Sequence, residues 1–296
     1  MRRVSTPDGR TLAVSEGGDP AGVPVLVHSG TPNSRLLYEP HVRDAEEEGI
    51  RLFSYDRPGY GGSTRKRGRD IADCATNVVT VCDALGIEEF CVWGVSGGGP
   101  HALATAALLP ERVRAAGVLA SVAPFDAAGL DFYGGMGKQN AEDFRLVVER
   151  DDEAHLAMLE RERNEMLSST PEQLVELWQT LLGPADRGVL NGELAAFLIR
   201  AGGAGIGATL DGWFDEDLAL TEPWGFDLAA IRAPVLLWHG EQDQFVPFAH
   251  GLWLAEHVPG VEARLTPDDG HLTLSERRVP EVHAWLLERA RLNGDA

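Results

Sequence analysis

Cysteine is scarce in this 296-residue chain, and the common metal-binding and redox motifs are missing. The three cysteines, Cys74, Cys82 and Cys91, are odd in number and fall in predicted strands and helices, which argues against a disulfide framework. The nine histidines are scattered, and the sequence has neither a C-x-x-C pair nor an H-E-x-x-H motif. We therefore expect free, buried thiols in a reducing cytoplasm, and no metal site.

Long apolar runs and basic residues are also in short supply. No apolar run follows Met1-Arg2-Arg3, so we expect no signal peptide, and no other stretch is long enough to cross a bilayer. Lysine and arginine number 26 against 46 aspartates and glutamates, a net charge of −20. Such a surface repels nucleic acid and anionic membranes, so the expected partner is a small-molecule substrate. The sequence leaves open whether the chain forms a homodimer.

Much of the chain alternates short apolar strands with helical patterns, which indicates a mostly parallel, doubly wound sheet. The first two strands flank Pro7-Asp8-Gly9-Arg10 and are predicted to form a β-hairpin. In such sheets, reactive groups gather beyond the carboxyl ends of the parallel strands, so we expect those loops to share one edge. The predicted strands are Val4–Thr6, Thr11–Ser15, Pro24–His28, Arg51–Tyr55, Phe90–Val95, Val113–Val122, Pro234–His239 and Glu262–Leu265.

Strand patterns are missing between residues 124 and 225, where helical patterns follow one another. So many helices in succession exceed what one crossover between neighbouring strands needs, which predicts an inserted all-helical cap, or lid. Residues 1–123 and 226–296 would form the α/β core, and residues 124–225 the cap. Gly202–Gly205 is expected to interrupt the helices. The predicted cap helices are Ala141–Arg150, Asp152–Leu167, Pro171–Leu182, Glu193–Ala201 and Ala208–Leu220.

Two charged stretches are interpreted as solvated surfaces. The basic run Arg65–Arg69 is expected to be an exposed loop, because the rest of the chain is so acidic. Glu160, Glu162 and Glu165 are expected on the solvated face of a cap helix. The aromatic side chains of the cap are assigned mostly to its core, and one or two of them are expected to line a substrate pocket. They are Trp178, Phe197, Trp213, Phe214 and Trp224.

A G-x-S-x-G pattern, Gly94-Val95-Ser96-Gly97-Gly98, joins the predicted strand Phe90–Val95 to a helix rich in small residues. A serine in that position is lifted onto a sharp strand-to-helix turn, where glycines allow close backbone approach. The N–H groups at the helix start, and its positive dipole end, would point at the Ser96 oxygen. The pattern alone is weak in a glycine-rich chain, and a phosphate-binding or merely close-packed turn is the alternative. The flanking strand and helix favour a nucleophilic serine.

A serine hydroxyl needs a base to take its proton and an acid to orient that base. His271 follows the last predicted strand and a glycine, and Asp243 follows the preceding strand by a short loop. Both are expected beside Ser96 at the same sheet edge, in the chain order Ser, Asp, His. Asp126, which follows the predicted strand Val113–Val122, is a second candidate for the acid.

The negative charge that develops on the substrate oxygen needs hydrogen-bond donors. The backbone N–H of Gly97 is predicted to be one of them, because it stands at the start of the helix after Ser96. The other is predicted on the loop His28-Ser29-Gly30-Thr31-Pro32, with the Thr31 N–H preferred and Gly30 next. His28 is expected to brace this loop rather than act as a base.

These residues resemble the α/β-hydrolase superfamily, and the similarity extends over essentially the whole chain. The matching motifs are the loop His28–Pro32, the loop Asp56–Ser63, the turn Gly94–Gly98, the stretch His239–Pro247 and the pair Gly270-His271. The resemblance implies the α/β-hydrolase fold, with Ser96 as nucleophile, His271 as base, Asp243 as acid, a helical cap and no cofactor. It does not specify the substrate.

The predicted function is hydrolysis of an ester, an amide or a thioester of a small, mainly apolar acyl compound. A serine nucleophile argues against the haloalkane and epoxide hydrolases of the superfamily, which use aspartate. Perhydrolases and carbon–carbon bond hydrolases share the same triad and stay open. One alternative is a proline iminopeptidase-like aminopeptidase, which needs a cap carboxylate facing the pocket. Another is a non-catalytic ligand-binding protein with this fold, which would not need a complete triad.

Overall fold

Eight strands form a single sheet in the computed structural model, which describes residues 1–190 and 192–294. The strands are β1 (Arg2–Ser5), β2 (Thr11–Gly18), β3 (Val23–His28), β4 (Ile50–Tyr55), β5 (Phe90–Val95), β6 (Val113–Leu119), β7 (Val235–Gly240) and β8 (Glu262–Thr266). Their order in the sheet is β1-β2-β4-β3-β5-β6-β7-β8. The pairs β1–β2 and β2–β4 are antiparallel, and the remaining neighbours are parallel.

The sheet confirms the predicted architecture. Val4 pairs with Leu12 across the N-terminal hairpin. Strands β5, β6 and β7 are buried almost throughout, as expected of a parallel sheet covered on both faces. β6 ends at Leu119 rather than at the predicted Val122, because Ala120 has a φ of +46° and leaves the extended conformation.

Helices cover both faces of the sheet. They are α1 (Glu39–Glu48), α2 (Cys74–Leu85), α3 (Gly99–Leu108), α10 (Phe248–His257), the short α11 (His271–Thr273) and α12 (Val279–Gly294). Val78 of α2 and Leu103 of α3 belong to the same core cluster as Val92 on one face. Ala45 of α1 and Trp285 of α12 contribute to the core on the other. Packing on both faces holds the strands in place. The predicted site residues lie in the loops that follow the carboxyl ends of these strands.

Helix α2 begins later than its apolar pattern indicates. The sequence pattern indicates a helix over Ile71–Leu85 that Asp70 could cap, but the first residue of the helix is Cys74. The Asp70 carboxylate instead accepts the backbone N–H of Asp73 at 2.9 Å, and Asp73 accepts that of Asp70 at 3.3 Å. This reciprocal turn competes with the helix for the same N–H groups, so the helix starts after it.

Between β6 and β7, the described residues contain helices and no strand. We call residues 138–221 the helical segment. It comprises α4 (Lys138–Glu149), α5 (Asp152–Ser168), α6 (Pro171–Leu177), α7 (Pro184–Arg187), α8 (Gly192–Ile206) and α9 (Asp211–Thr221). α6 stops at Leu177 rather than at the predicted Leu182, and the one-turn helix α7 was not predicted.

The prediction that Gly202–Gly205 would interrupt the helices is wrong, because α8 continues through it. A Cβ on Gly205 would lie 3.2 Å from backbone atoms of Asn33 and Ser34, and one on Gly202 would lie 2.6 Å from the sulfur of Met166. Glycine therefore costs helix propensity here but allows α8 to approach the core closely.

The basic run Arg65–Arg69 is also not the solvated loop that the sequence suggests. Arg65 pairs with Asp211 and Asp215 of α9, and Lys66 pairs with Asp73. Arg69 is buried and contacts Glu216. The run attaches the helical segment to the core, because α9 presents a row of carboxylates to it.

No single helix in the described part of the chain is long and apolar enough to cross a bilayer. Helices α8 and α9 are long and apolar enough only when they are taken together, and the chain bends by 96° between them.

Candidate active site

Ser96 stands at the tight turn between β5 and α3. Its φ of +56° lies in the left-handed region, where a residue with a side chain is strained. A Cβ on Gly94 would lie 2.3 Å from the carbonyl oxygen of Gly98, and one on Gly98 would lie 2.1 Å from that of His28. Both flanking glycines are therefore required by the close approach of the backbone.

His271 and Asp243 meet beyond the carboxyl ends of β8 and β7. Nδ1 of His271 lies 2.8 Å from Oδ2 of Asp243. Oδ1 of Asp243 accepts the backbone N–H groups of Phe245 and Val246, at 2.9 and 2.8 Å. The ring of Phe245 stacks on that of His271 with centroids 4.6 Å apart, so the imidazole is held both at its edge and on its face. Asp126, the second candidate, makes no hydrogen bond or ion pair to His271 in the described residues.

The environment of His271 favours its protonated form. Burial acts to lower the pKa of His271, but the charge and hydrogen bond of Asp243, with the charge of Asp186, outweigh it. The pKa of His271 is therefore held above its ordinary value. A carboxylate on the Nδ1 side stabilises the imidazolium that a general base becomes when it takes a proton.

A cavity of about 180 Å³ opens at this edge of the sheet. Ser96, Gly97 and His271 line it, together with both Gly30 and Thr31 of the loop after β3. The structure thus brings the predicted nucleophile, base and oxyanion loop to one cavity. Gly97 lies in the first turn of the helix, where backbone N–H groups have no acceptor within the helix.

Much of the remaining wall is apolar and comes from the helical segment. Its larger side chains are Phe144, Leu177, Trp178, Leu198, Trp213 and Leu220. Such a wall receives an apolar group more readily than a charged one.

Carboxylates of the helical segment also line the cavity. Two of them belong to the three glutamates of α5 that were expected on a solvated helix face. Glu162 and Glu165 face the cavity, and Glu162 is buried, whereas Glu160 is exposed. Asp143 of α4 and Asp217 of α9 complete the set. The acidic residues of α5 are interspersed with apolar ones, and nothing in the local sequence distinguishes the buried Glu162 from the exposed Glu160.

Burial and mutual repulsion raise the pKa values of Asp143, Glu162 and Asp217. Burial, followed by the charges of Glu162 and Asp217, raises the pKa of Asp143 to about 9. Burial also raises the pKa of Glu162, whose Oε1 accepts a hydrogen bond from Gln139 at 2.9 Å. Burial raises the pKa of Asp217 to about 6, although His155 Nε2 lies 3.0 Å from its carboxylate. Some of these groups are therefore protonated at neutral pH when the cavity holds no cation.

Arg57 holds the loop that carries Thr31. Its guanidinium donates to the carbonyl oxygens of Ser29 and Gly30, at 2.6 and 3.3 Å. It also donates to Oγ1 of Thr31 at 3.1 Å. A rigid, planar fork that bonds three successive residues fixes the conformation of that loop.

Glu216 of α9 is the buried counter-charge of this arginine. Arg57 Nε lies 3.1 Å from its Oε2, Arg69 donates to the same oxygen, and Nε2 of His101 lies 2.6 Å from its Oε1. Burial alone would raise the pKa of Glu216, but Arg57 and Arg69 hold it well below its ordinary value. His28 stacks on His101 with centroids 5.6 Å apart, and its role in bracing the loop stays a prediction.

Sequence reasoning missed this cluster because its members are far apart in the chain. Arg57 sits in the Asp56–Ser63 motif, and Arg69 closes a basic run that was assigned to solvent. Glu216 is one of several acidic residues in α9. A buried arginine must be paired, but only the fold identifies the partner.

A sequence model of the family described as "alpha/beta hydrolase fold" matches residues 23–277. The chain is 28% identical over 300 residues to an uncharacterized hydrolase, YcgS, of Bacillus subtilis, with 97% of this chain and 98% of that protein covered. It is also 28% identical to a bifunctional esterase/perhydrolase of Acinetobacter calcoaceticus, with 84% of each covered. A thermophilic esterase from Thermogutta terrifontis superposes with a TM-score of 0.70 at 22% identity, over 98% of both chains. These matches confirm the predicted fold class.

Replacing Glu216 with glutamine is expected to lower the free energy of unfolding by about 3–5 kcal/mol, because Arg57 and Arg69 lose their buried counter-charge. Urea unfolding at neutral pH measures the change. Glu222→Gln is the control, since Glu222 is half-exposed and its pair with Arg150 is expected to contribute about 0–1 kcal/mol. Equal losses in the two variants would contradict a structural role for the Glu216 cluster.

Proposed function

The chain is a hydrolase that belongs to the α/β-hydrolase family, and we propose that it cleaves an ester through a serine nucleophile. The observation that carries the proposal is one cavity lined by the strained Ser96 and by His271, whose Nδ1 is bound to Asp243. An esterase among the relatives and an esterase among the similar structures support the reaction class. An amide or thioester fits the same chemistry.

In the proposed mechanism, Oγ of Ser96 attacks the substrate carbonyl carbon while Nε2 of His271 takes its proton. Asp243 keeps the tautomer with a proton on Nδ1 and stabilises the resulting imidazolium. The oxyanion accepts hydrogen bonds from the N–H groups of Gly97 and Thr31.

The tetrahedral intermediate then collapses. The bond between the carbonyl carbon and the alcohol oxygen breaks, and His271 returns the proton to the alcohol as it leaves. A water molecule attacks the acyl-enzyme in the same way, and the carboxylic acid is released from Ser96.

The cavity supports a small, mainly apolar acyl group as substrate. Its volume is about 180 Å³, and its broad wall is built from aliphatic and aromatic side chains of the helical segment. We propose that this segment acts as a cap that excludes water from the acyl-enzyme.

An aminopeptidase of the proline iminopeptidase kind is the second candidate, and the acidic wall favours it. Asp143, Glu162, Glu165 and Asp217 line the same cavity as Ser96. Burial, with mutual repulsion, raises the pKa values of Asp143 and Glu162 in the empty cavity. The positive charge of a substrate amine would favour their ionised forms, which would then bind the amine.

We propose a cytoplasmic location. Cys74, Cys82 and Cys91 are free and buried, and burial raises the pKa of each thiol to about 12. Thiols of this kind are typical of proteins in a reducing compartment and are unreactive there.

A fluorophosphonate is expected to modify Ser96 in the wild-type protein and to react far more slowly in His271→Ala, because the serine loses its base. Peptide mapping identifies the modified residue. His257→Ala is the matched control, since His257 is exposed and does not line the cavity. Folded wild-type protein that resists the reagent would favour a ligand-binding role instead.

The choice between the two candidate acids is open to a direct test. Asp243→Asn is expected to lower kcat by about 10⁴-fold, because the wrong imidazole tautomer is stabilised. Asp126→Asn should leave kcat unchanged. Activity that persists in Asp243→Asn but not in Asp126→Asn would reverse the assignment.

In the wild type, the acidic limb of kcat/KM should lie above pH 6.5, since activity needs neutral His271 and its pKa is raised.

The two substrate classes are separated by assaying a p-nitrophenyl ester and a prolyl arylamide side by side. If the acidic wall binds a free amine, Glu162→Gln should raise KM for the arylamide by about tenfold or more, which corresponds to a lost charged hydrogen bond. The ester, which has no amine, should be cleaved equally well by both proteins. Glu160→Gln, on the exposed side of α5, is the control. A wild-type protein that cleaves only the ester would exclude the aminopeptidase.

A further inference from the structure

Asp186 of α7 is a buried carboxylate that the mechanism above does not use, although it contacts the segment that carries His271. Its Oδ2 accepts the backbone N–H of His271 at 2.8 Å. Its Oδ1 accepts the N–H groups of Leu272 and Thr273, at 2.8 and 3.0 Å, and the Thr273 hydroxyl lies 3.4 Å away. Asp186 is completely shielded from solvent. One carboxylate of the helical segment thus binds three consecutive N–H groups, beginning at the proposed base.

These N–H groups form the start of α11, where no acceptor within the helix is available to them. Gly270, which precedes the helix, has no side chain that could supply one. A Cβ on Gly270 would lie 2.6 Å from the carboxyl group of Asp186, so a larger residue there would displace the carboxylate. Hydrogen bonds from N–H groups to a carboxylate are about twice as strong as those to a neutral acceptor. Asp186 therefore fixes the point from which the His271 side chain extends.

Backbone N–H groups of α7 and of the residue before α4 also bind the loop that carries Asp243. The N–H of Ala185 donates to Oε1 of Gln242 at 3.1 Å. On the other side of Asp243, the carbonyl oxygen of Gln244 accepts the N–H of Gly137 at 2.7 Å. The two loops that supply the proposed acid and base are thus both attached to α7, and Gly137, directly before α4, adds a further attachment to the Asp243 loop.

The groups that face the His271 ring are Asp243 after β7, Asp186 of α7 and His239 at the end of β7. Burial lowers the pKa of His239, so its ring is neutral at neutral pH. Burial also raises the pKa of Asp186, but all of its hydrogen-bond partners are donors, an arrangement that suits the ionised carboxylate. Both carboxylates then favour a charged imidazole.

We propose that Asp186 is a positioning residue for the base, through which the helical segment holds His271 towards Ser96 and places a second negative charge beside it. The inference rests on the proposed function, because it concerns the same serine and histidine. It assigns to α7 a part in catalysis that extends beyond covering the cavity.

The test compares Asp186→Asn with the wild type in fluorophosphonate labelling of Ser96 across a range of pH. Asparagine keeps the size of the side chain but replaces one accepting oxygen with an NH₂ group and removes the charge. We expect the labelling rate to fall by about 100-fold at neutral pH, as for a small misplacement of a reacting group. We also expect the acidic limb to move to lower pH, because loss of a nearby negative charge lowers the pKa of His271.

Asp151→Asn is the matched control. Asp151 caps α5 in the same helical segment by accepting the N–H of Ala154 at 3.0 Å, and it makes no contact with His271. It should reduce stability slightly without altering the labelling rate or the pH profile. If Asp186→Asn does not fold, Gly270→Ala displaces the same carboxylate and is expected to slow labelling in the same way.

A folded Asp186→Asn protein with the wild-type rate and the wild-type acidic limb would overturn the proposal, even if its melting temperature were lower. Titration of the His271 imidazole by NMR separates this inference from the proposed function. If the wild type is not labelled at all, the serine mechanism fails, yet a lower pKa of His271 in Asp186→Asn still supports the placement of charge. An unchanged pKa overturns it.

Discussion

The buried carboxylate of Glu216 is the interaction on which much of the site's geometry depends. Two arginines and a histidine from the core converge on it, and all are removed from solvent. Taking these charges out of water is costly unless each stays paired. Moving α9 away from α3 would therefore break the cluster. Because Arg57 binds both Glu216 and Thr31, such a movement would also disturb the loop of Thr31. The shape of the proposed oxyanion site is tied to the docking of the helical segment.

Asp186 creates a similar dependence at the segment that carries His271. Its oxygens accept the backbone N–H groups of the segment after β8. The glycine that precedes these residues has no side chain that could accept them. Moving the helical segment outwards as a rigid body would leave two buried carboxylates and their partners unsatisfied. Such a movement costs several kcal/mol for each broken cluster. The segment is consequently part of the framework of the proposed site.

The cavity itself combines two chemistries that compete. Its broad walls are apolar, whereas Asp143, Glu162 and Asp217 repel one another when ionised. With a neutral substrate, shared protons relieve that repulsion and the wall behaves as a polar but uncharged surface. With a cationic substrate, the ionised forms are favoured, and the same residues become a recognition site. Under either proposed function, the protonation state of this wall would differ between an ester and an amine-bearing substrate.

The sequence by itself determined the sheet, its hairpin, the glycine-flanked turn of Ser96, and the placement of Asp243 and His271 after neighbouring strands. These features depend on local patterns: apolar strands, close backbone approach at glycine, and the order of elements along the chain. The tertiary structure alone decided the partners of buried charges. Arg69 and Glu162 were assigned to solvent because a charged residue gives no local sign of burial, and α7, which carries Asp186, is too short for a periodic pattern. Glu216 and Asp186 act on residues more than 80 positions away, and only folding brings such groups within hydrogen-bond distance.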